Sequence, residues 1–378
     1  MPYSTSPHNN VPFGPPRTAR ALWNLDDIPA DVDLTRCMDR PVAGTHSGDL
    51  VIDIRVLSAL YIGGDPDGHS HRFNGTWSIP GSAIRGLARN SLAILLGQPL
   101  RRPDRRKNPT NGDEFAAPIP RTAQRVYDRM PADNSVVWGR GPLTVAEGLS
   151  ATQALLGDIS DTDPDRAVAG RLRFHRADVC TDTVRELEAR PVRLLGPHLQ
   201  ADYLRADRYD PKADDPEAGH PDAEATYLGP VMYHHRGWLL TNYPDTNWRD
   251  AVNSHHGGPN RHPDERTSTI IRPLVGAPGN PLVFRGKISF SNLTTTELAL
   301  LLFALDPNSV AENVDDDSPP FAHHLGQGAP LGLGAVRLTP GPLTLQGARR
   351  ALAVRPPTPA PPVPDPTSLV RKHLDTLV

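Results

Sequence analysis

The clearest alternation of apolar and polar positions lies in 49-DLVIDIRVL-57, where Leu50, Ile52, Ile54 and Val56 alternate with Val51, Asp53 and Arg55. That period of two predicts a strand with one buried face. In 170-GRLRFHRADV-179 the same period turns Leu172 and Phe174 one way and Arg171, Arg173 and His175 the other, which predicts a second strand. A third is expected over 283-VFRGKISF-290, with Ile288 and Phe290 inside and Arg285 and Lys287 outside, and a fourth over 335-AVRL-338.

Helical spacing appears twice between these runs. In 77-WSIPGSAIRGLARNSLAILLG-97 a strand end stops at Pro80, Gly81 turns the chain, Ser82 is the expected cap, and Ile84, Leu87, Ala88, Leu92 and Leu95 recur on one face up to Gly97. Downstream, Thr294 and Glu297 have the spacing of a capping box, and Leu298, Leu301, Leu302 and Leu305 form an apolar stripe. The order strand, helix, strand, strand, helix, strand predicts an α+β fold with a ferredoxin-like (RRM-like) βαββαβ core and a Gly-rich loop before the last strand. Long insertions split that core, at about residues 98–150 and 180–280. The expected organisation is an extended, Pro-rich segment over 1–20, a folded domain over 21–340, a Pro-rich linker over 341–366, and a short amphipathic helix over 367–378. In that helix Val370, Leu374, Leu377 and Val378 share a stripe. A helix so short is marginal alone and needs a surface to dock on.

Composition narrows the function classes. A net charge of -3 over 378 residues excludes a uniformly basic coat, so any nucleic-acid contact has to be a local patch. Basic residues do gather in 101-RRPDRRK-107, followed by Arg121, Arg125 and Arg129, while acid is concentrated over 202–224 and at Asp315 to Asp317. Cys37 and Cys180 make no disulfide framework, and no apolar run is long enough for a signal peptide or a membrane span, so a cytoplasmic protein without membrane contact is expected. The histidines include His255, His256 and His262 and the pairs His234-His235 and His323-His324. With no paired cysteine and no HExxH helix they read as loop and strand histidines, and no metal site is assigned.

Two features carry candidate chemistry. In 321-FAHHLGQGAPLGLGAVRL-338, Gly326, Gly328, Gly332 and Gly334 permit positive φ and close backbone approach, so their amides suit an anion such as phosphate. A dinucleotide fingerprint would need glycine at Leu331, and the Gly-Lys-Ser/Thr of a P-loop is absent; the bland alternative is a tight glycine turn between packed elements. The second feature is the helix start at Gly81 and Ser82, with Arg85 and Arg89 four residues apart beside it. Unpaired N–H groups at a helix start favour anions, and two guanidiniums extend such a site along a phosphate backbone.

Together, 79-IPGSAIRGLAR-89, 155-LLGDISDTDPDRAVAGRLRFHRADV-179, 283-VFRGKISFSNLTTTELALLLFAL-305 and the terminal glycine loop resemble, in that order, the RAMP superfamily of CRISPR-associated RNA-binding proteins. The resemblance is to the backbone-type subunits of type III effector complexes, in a longer branch that also shares 2-PYSTSPHNNVPF-13, 47-SGDL-50 and 228-LGPVMYHH-235. It implies partners (guide RNA, target RNA and other CRISPR effector subunits) and RNA contact through Gly81, Ser82, Arg85, Arg89, Arg285, Lys287 and the four loop glycines. Helices on one face of an antiparallel sheet leave the other open to single-stranded RNA, although the aromatic signature of a conventional RNA-recognition motif is missing. The resemblance also implies that target cutting would use an aspartate on the loop after the first strand, here Asp65 or Asp67, with a divalent cation such as Mg or Mn as cofactor. The alternative is a metal-independent endoribonuclease that processes precursor guide RNA, with His69 or His71 as acid and base. A small-molecule enzyme on a ferredoxin-like fold is a third class, and no convergent catalytic cluster speaks for it.

Overall fold

The computed structural model describes residues 8–10, 19–26, 28, 42–63, 67–96, 106–107, 114–115, 149–159, 167–193, 204–205, 226–227, 231–233, 268–277, 279–310 and 321–345. Three helices lead the packing of the first half: α1 (Ala19–Asn24), α2 (Gly81–Leu95) and α3 (Ala151–Leu156). The strands between and after them are β1 (His46–Val56), β2 (Arg72–Phe73), β3 (Thr76–Ile79), β4 (Leu172–Phe174), β5 (Ala177–Val179) and β6 (Val283–Leu293). Helix α4 (Thr295–Leu305), β7 (His323–His324) and β8 (Ala335–Leu345) complete the set. The strands form one eight-stranded sheet in the order β7-β8-β1-β6-β5-β3-β2, with β4 also paired to β6, and every pairing is antiparallel.

The alternation read in the sequence sets the two faces of this sheet. On β1, Leu50, Ile52 and Ile54 are fully buried; on β6, Phe284, Ile288 and Phe290 are buried while Arg285 and Lys287 stand outside. The buried side chains share one core with Ile84, Leu87, Ala88 and Leu92 of α2 and with Leu298, Leu301, Leu302 and Leu305 of α4. Both helices therefore cover the same face, and among the described residues no helix covers the other. In α4 the expected stripe is wider, because Ala299, Leu300 and Ala304 are buried as well, and α1 and α2 both pack on the helix. Its capping box forms as read, with Thr294 Oγ1 accepting from the Glu297 amide and Glu297 Oε2 from the Thr294 amide, each at 3.0 Å.

Four local readings differ. Ser82 does not cap α2: the N-cap is Pro80, no side chain bonds the first turn, and Gly81 is seated so close to strand β4 that a Cβ there would fall on the Phe174 carbonyl. The expected second strand breaks at His175 and Arg176 into β4 and β5, and Arg171 lies inside instead of outside. The loop after β1 ends in a hairpin, β2–β3, turned by Asn74 at φ 48 and Gly75 at φ 81, the left-handed pair that suits strand twist. Strand β8 runs on to Leu345 through Pro340 and Pro342, opposite β1, with an irregularity in register between Leu50 and Ile52.

Within the expected 180–280 insertion, Val184–Glu186 pairs with Leu274–Gly276 and Arg190–Arg193 with Ser268–Ile271. A second apolar cluster of Ala59, Tyr61, Leu187, Val192, Ile271, Leu331 and Leu333 ties this layer to the glycine loop. The basic run 101–107 is described only as the backbone pairing of Arg106–Lys107 with Glu114–Phe115. Arg121, Arg125, Arg129, Asp315 to Asp317, Cys37, the histidines at 234, 235, 255, 256 and 262, and the segments 346–366 and 367–378 lie outside the described residues. No helix among the described residues is long and apolar enough to cross a membrane.

Candidate nucleic-acid interface

Residues directly opposite one another in an antiparallel pair point to the same face. The solvent face of the sheet can therefore be read across the strands. One row is Asp178 on β5, Arg285 on β6, Asp53 on β1 and Thr339 on β8. A second is Arg173 on β4, Ser289 on β6, Asp49 on β1 and Thr344 on β8. Between them Lys287 reaches Asp49 at 3.6 Å. Arg285 grips Asp53 with Nε and Nη2 at 2.7 and 2.8 Å, and this hydrogen bonding and charge pairing raise its pKa further above the ordinary arginine value. Ser289 donates to Asp49 at 2.6 Å and lies 2.8 Å from His175 Nε2. The side chains of Arg285 and Lys287 remain 61% and 46% exposed, so both cations are held in place yet still face solvent.

The helix-start residues lie on the other side of the molecule's core. Ser82, Arg85 and Arg89 are exposed on α2, and Arg85 Nη2 donates to the Leu156 carbonyl at 2.7 Å, satisfying the C-terminal end of α3. Helix α3 has its own capping box from Ser150 and Gln153, a signature present in the sequence as Ser-x-x-Gln.

All four loop glycines have positive φ, between 76° and 85°. Gly328 and Gly332 bracket a short 3-10 turn, Ala329–Leu331. The space beside three of these glycines is taken by protein. A Cβ on Gly326 would fall on the Tyr61 carbonyl, one on Gly334 on the Leu325 carbonyl, and one on Gly328 would come 2.7 Å from Leu333 Cδ1. The amides of Leu325, Gln327, Leu331, Gly332, Leu333 and Gly334 donate to carbonyls of Gly334, Tyr61, Gly328, Ala329, Gly328 and Ala59. The geometry of this segment is that of a packed turn docked on residues 57–63.

In the loop after β1, Asp65 lies outside the described residues and Asp67 is exposed. Arg272 ties down the backbone here, with its amide on the Gly68 carbonyl at 2.8 Å and its Nε on the Asp67 carbonyl at 3.3 Å. His69 Nδ1 lies 3.0 Å from Glu186, and His71 Nδ1 lies 3.0 Å from the Ser78 hydroxyl. Among the described residues no three His, Cys, Asp or Glu side chains gather as a metal ion would require.

Reading the sequence alone missed two groupings. Arg171 and Glu297 form a bidentate ion pair inside the core, 1% and 0% exposed. Phe73, by contrast, is 46% exposed, and Arg176 Cζ sits 3.8 Å from the centre of its ring. The Asn74-Gly75 pair between Phe73 and Trp77 was the available signal for the hairpin that carries it.

No curated protein matches the chain. Among solved structures, a chain of a Type IV-B CRISPR Complex aligns at 15% identity over 83% of this chain and 95% of that one, with a TM-score of 0.30. Csc2 of Thermofilum pendens aligns at 13% identity over 96% of this chain and 85% of that one, with a TM-score of 0.33. The family model of the RAMP superfamily matches residues 53–337, from the middle of β1 into β8, and so spans the sheet, both covering helices and the glycine loop. The chain belongs to the RAMP superfamily.

Proposed function

We propose that the chain is an RNA-binding subunit of a type III-like CRISPR ribonucleoprotein, holding guide RNA along the open face of its sheet. The observation that carries this reading is the cationic row on that face: Arg285, Lys287 and Arg173 are exposed on the side away from α2 and α4. The strand order β8-β1-β6-β5, with helices between β1 and β5 and between β6 and β8, supports a ferredoxin-like core under that face. Asp53 and Asp49 do not disqualify the cations. A solvent-exposed pair holds its cation only weakly, and the fork of Arg285 on Asp53 uses two of five N–H donors, so a phosphate can share the guanidinium. Contacts of this kind position a strand without reading its sequence. Exposed Arg85 and Arg89 on α2 supply a second phosphate contact in the same reading.

The test is binding of single-stranded RNA to the full chain at low salt. Arg285→Gln combined with Lys287→Gln lowers affinity, and does so equally for unrelated sequences. Absence of RNA binding by the unaltered chain in low salt, with its partner subunits present, sinks the reading.

Cutting of paired target RNA is assigned in this reading to Asp67 together with Asp65. Asp67 is exposed on an anchored loop, whereas His69 and His71 are engaged with Glu186 and Ser78. The described side chains do not by themselves form a cation site. Asp67→Ala stops cutting and leaves RNA binding nearly intact; cutting that survives both this change and chelation, and stops with His69→Ala or His71→Ala, assigns the loop to guide processing instead.

A further inference from the structure

The open face ends in a feature that phosphate binding does not need. Asp178 lies opposite both Arg285 and Ser78, so β3 takes up the register of the first row at Ser78, which is itself buried. Thr76, two residues before Ser78, shares its face, and Phe73 is opposite Thr76. Phe73 therefore stands on the same solvent face as Arg285, at the edge of the sheet. Its ring is held there by a hairpin turn with two left-handed residues, and remains 46% exposed. Arg176 stacks over the ring at 3.8 Å, and its in-plane donors are fixed by a fork onto Asp178 at 2.6 and 3.1 Å. The guanidinium is thus forked by a carboxylate and lies over an aromatic ring.

We propose that Phe73 and Arg176 form a stacking platform for one unpaired base of a single-stranded RNA whose phosphates run along the Arg285 and Lys287 row. This rests on the function proposed above and names the contact that its phosphate sites leave open. Aromatic rings and guanidinium planes are the surfaces on which splayed bases stack, and because every base has a π-face the contact tolerates any sequence. Two observations favour a base over an apolar protein side chain. The platform carries a cation over its ring, and that cation is forked onto Asp178, which stands opposite Arg285 in the charged row.

The experiment compares the full chain and its Phe73→Leu variant, each binding two RNAs of about ten nucleotides, one normal and one of equal length and charge with abasic positions. Phe73→Leu keeps an apolar side chain at the hairpin, and an unchanged melting temperature verifies that it is folded. The unaltered chain binds the normal strand about tenfold more tightly than the abasic strand, and Phe73→Leu brings the two affinities together by weakening only the normal strand. Arg176→Lys, which keeps the charge and loses the plane, has the same effect in smaller degree. Equal binding of the two RNAs by the unaltered chain overturns the platform while leaving the phosphate row standing. A Phe73→Leu chain that keeps its preference for bases but loses self-association overturns it too, making the edge a protein interface. Binding of neither RNA removes the proposed function together with the platform.

Discussion

Arg171 and Glu297 form an ion pair with almost no water around it, so its consequences are set by partners. Arg171 also donates to the carbonyls of Ala154 and Asn292, each at 2.9 Å, and Glu297 accepts from Trp23 Nε1 at 2.9 Å and from the Thr294 amide. Removing one member strands the other in the core, which costs about 3–5 kcal/mol. Arg171→Met is expected to destabilise by that order in denaturant unfolding, and adding Glu297→Leu recovers part of it by removing the orphaned charge. Full stability in Arg171→Met alone contradicts the assignment. His323 is a second buried polar residue, with Nε2 2.8 Å from the Leu305 carbonyl and Nδ1 3.3 Å from Ser91 Oγ. Burial pushes its pKa down to about 4, against the raising effect of the Leu305 carbonyl. Between that value and the ordinary histidine range near 6.5 the unfolded chain binds more protons, so stability rises with pH there. The contribution is complete above about pH 6.5 and lost as pH falls through about 4. Thermal melts at pH 7.5 and pH 5 should therefore show a larger loss for the unaltered chain than for His323→Gln. Equal losses argue against the neutral, buried imidazole.

At the scale of elements, the glycine loop shows why a residue pattern and its use are separate questions. Dense glycine before a strand was legible, and so was positive φ at Gly326, Gly328, Gly332 and Gly334. The sequence did not show what fills the space that glycine leaves. Tyr61, 265 positions before Gly326, supplies the carbonyl that a Cβ would strike, and Leu331 and Leu333 join the cluster around Tyr61. Gly326→Ala is accordingly expected to lower the melting temperature, with a destabilisation above about 1 kcal/mol from the left-handed backbone alone. RNA affinity of the folded fraction should be unchanged. Weakened RNA binding at unchanged melting temperature would return the loop to the phosphate-binding role its composition suggests. Helix α2 gives the same lesson on a smaller scale: its apolar face was readable from spacing, whereas the close contact of Gly81 with the Phe174 carbonyl at its start was not.

Across the described molecule, the sheet separates an apolar face from an ion-bearing one. Apolar residues of β1, β6 and β8 face α2 and α4, and the pairs of Arg285 with Asp53 and Lys287 with Asp49 face the open side, while the Arg171–Glu297 pair is enclosed in the core. If that side tracks an RNA backbone, affinity falls with salt, and each phosphate contact contributes about 0.7 to the logarithmic slope for single strands. The Arg285→Gln and Lys287→Gln pair should therefore flatten the slope by about 1.4. An unchanged slope would move the phosphate track off this face, toward Arg85 and Arg89 on α2. What the sequence by itself determined is the local part: period-two runs made β1 and β6, helical spacing made α2 and α4, and alternation alone sent Arg285 and Lys287 outward. Only tertiary structure decided which charge goes where when the pattern is short. Arg171 and Arg173 occupy equivalent places in the alternation, yet Arg171 is drawn inside by Glu297, 126 residues away, while Arg173 stays in water. The pairing of Phe73 with Arg176 likewise exists only because the hairpin folds back onto β5. Periodicity records which face of an element is apolar, but a contact between distant residues depends on register and strand order, which no local window contains.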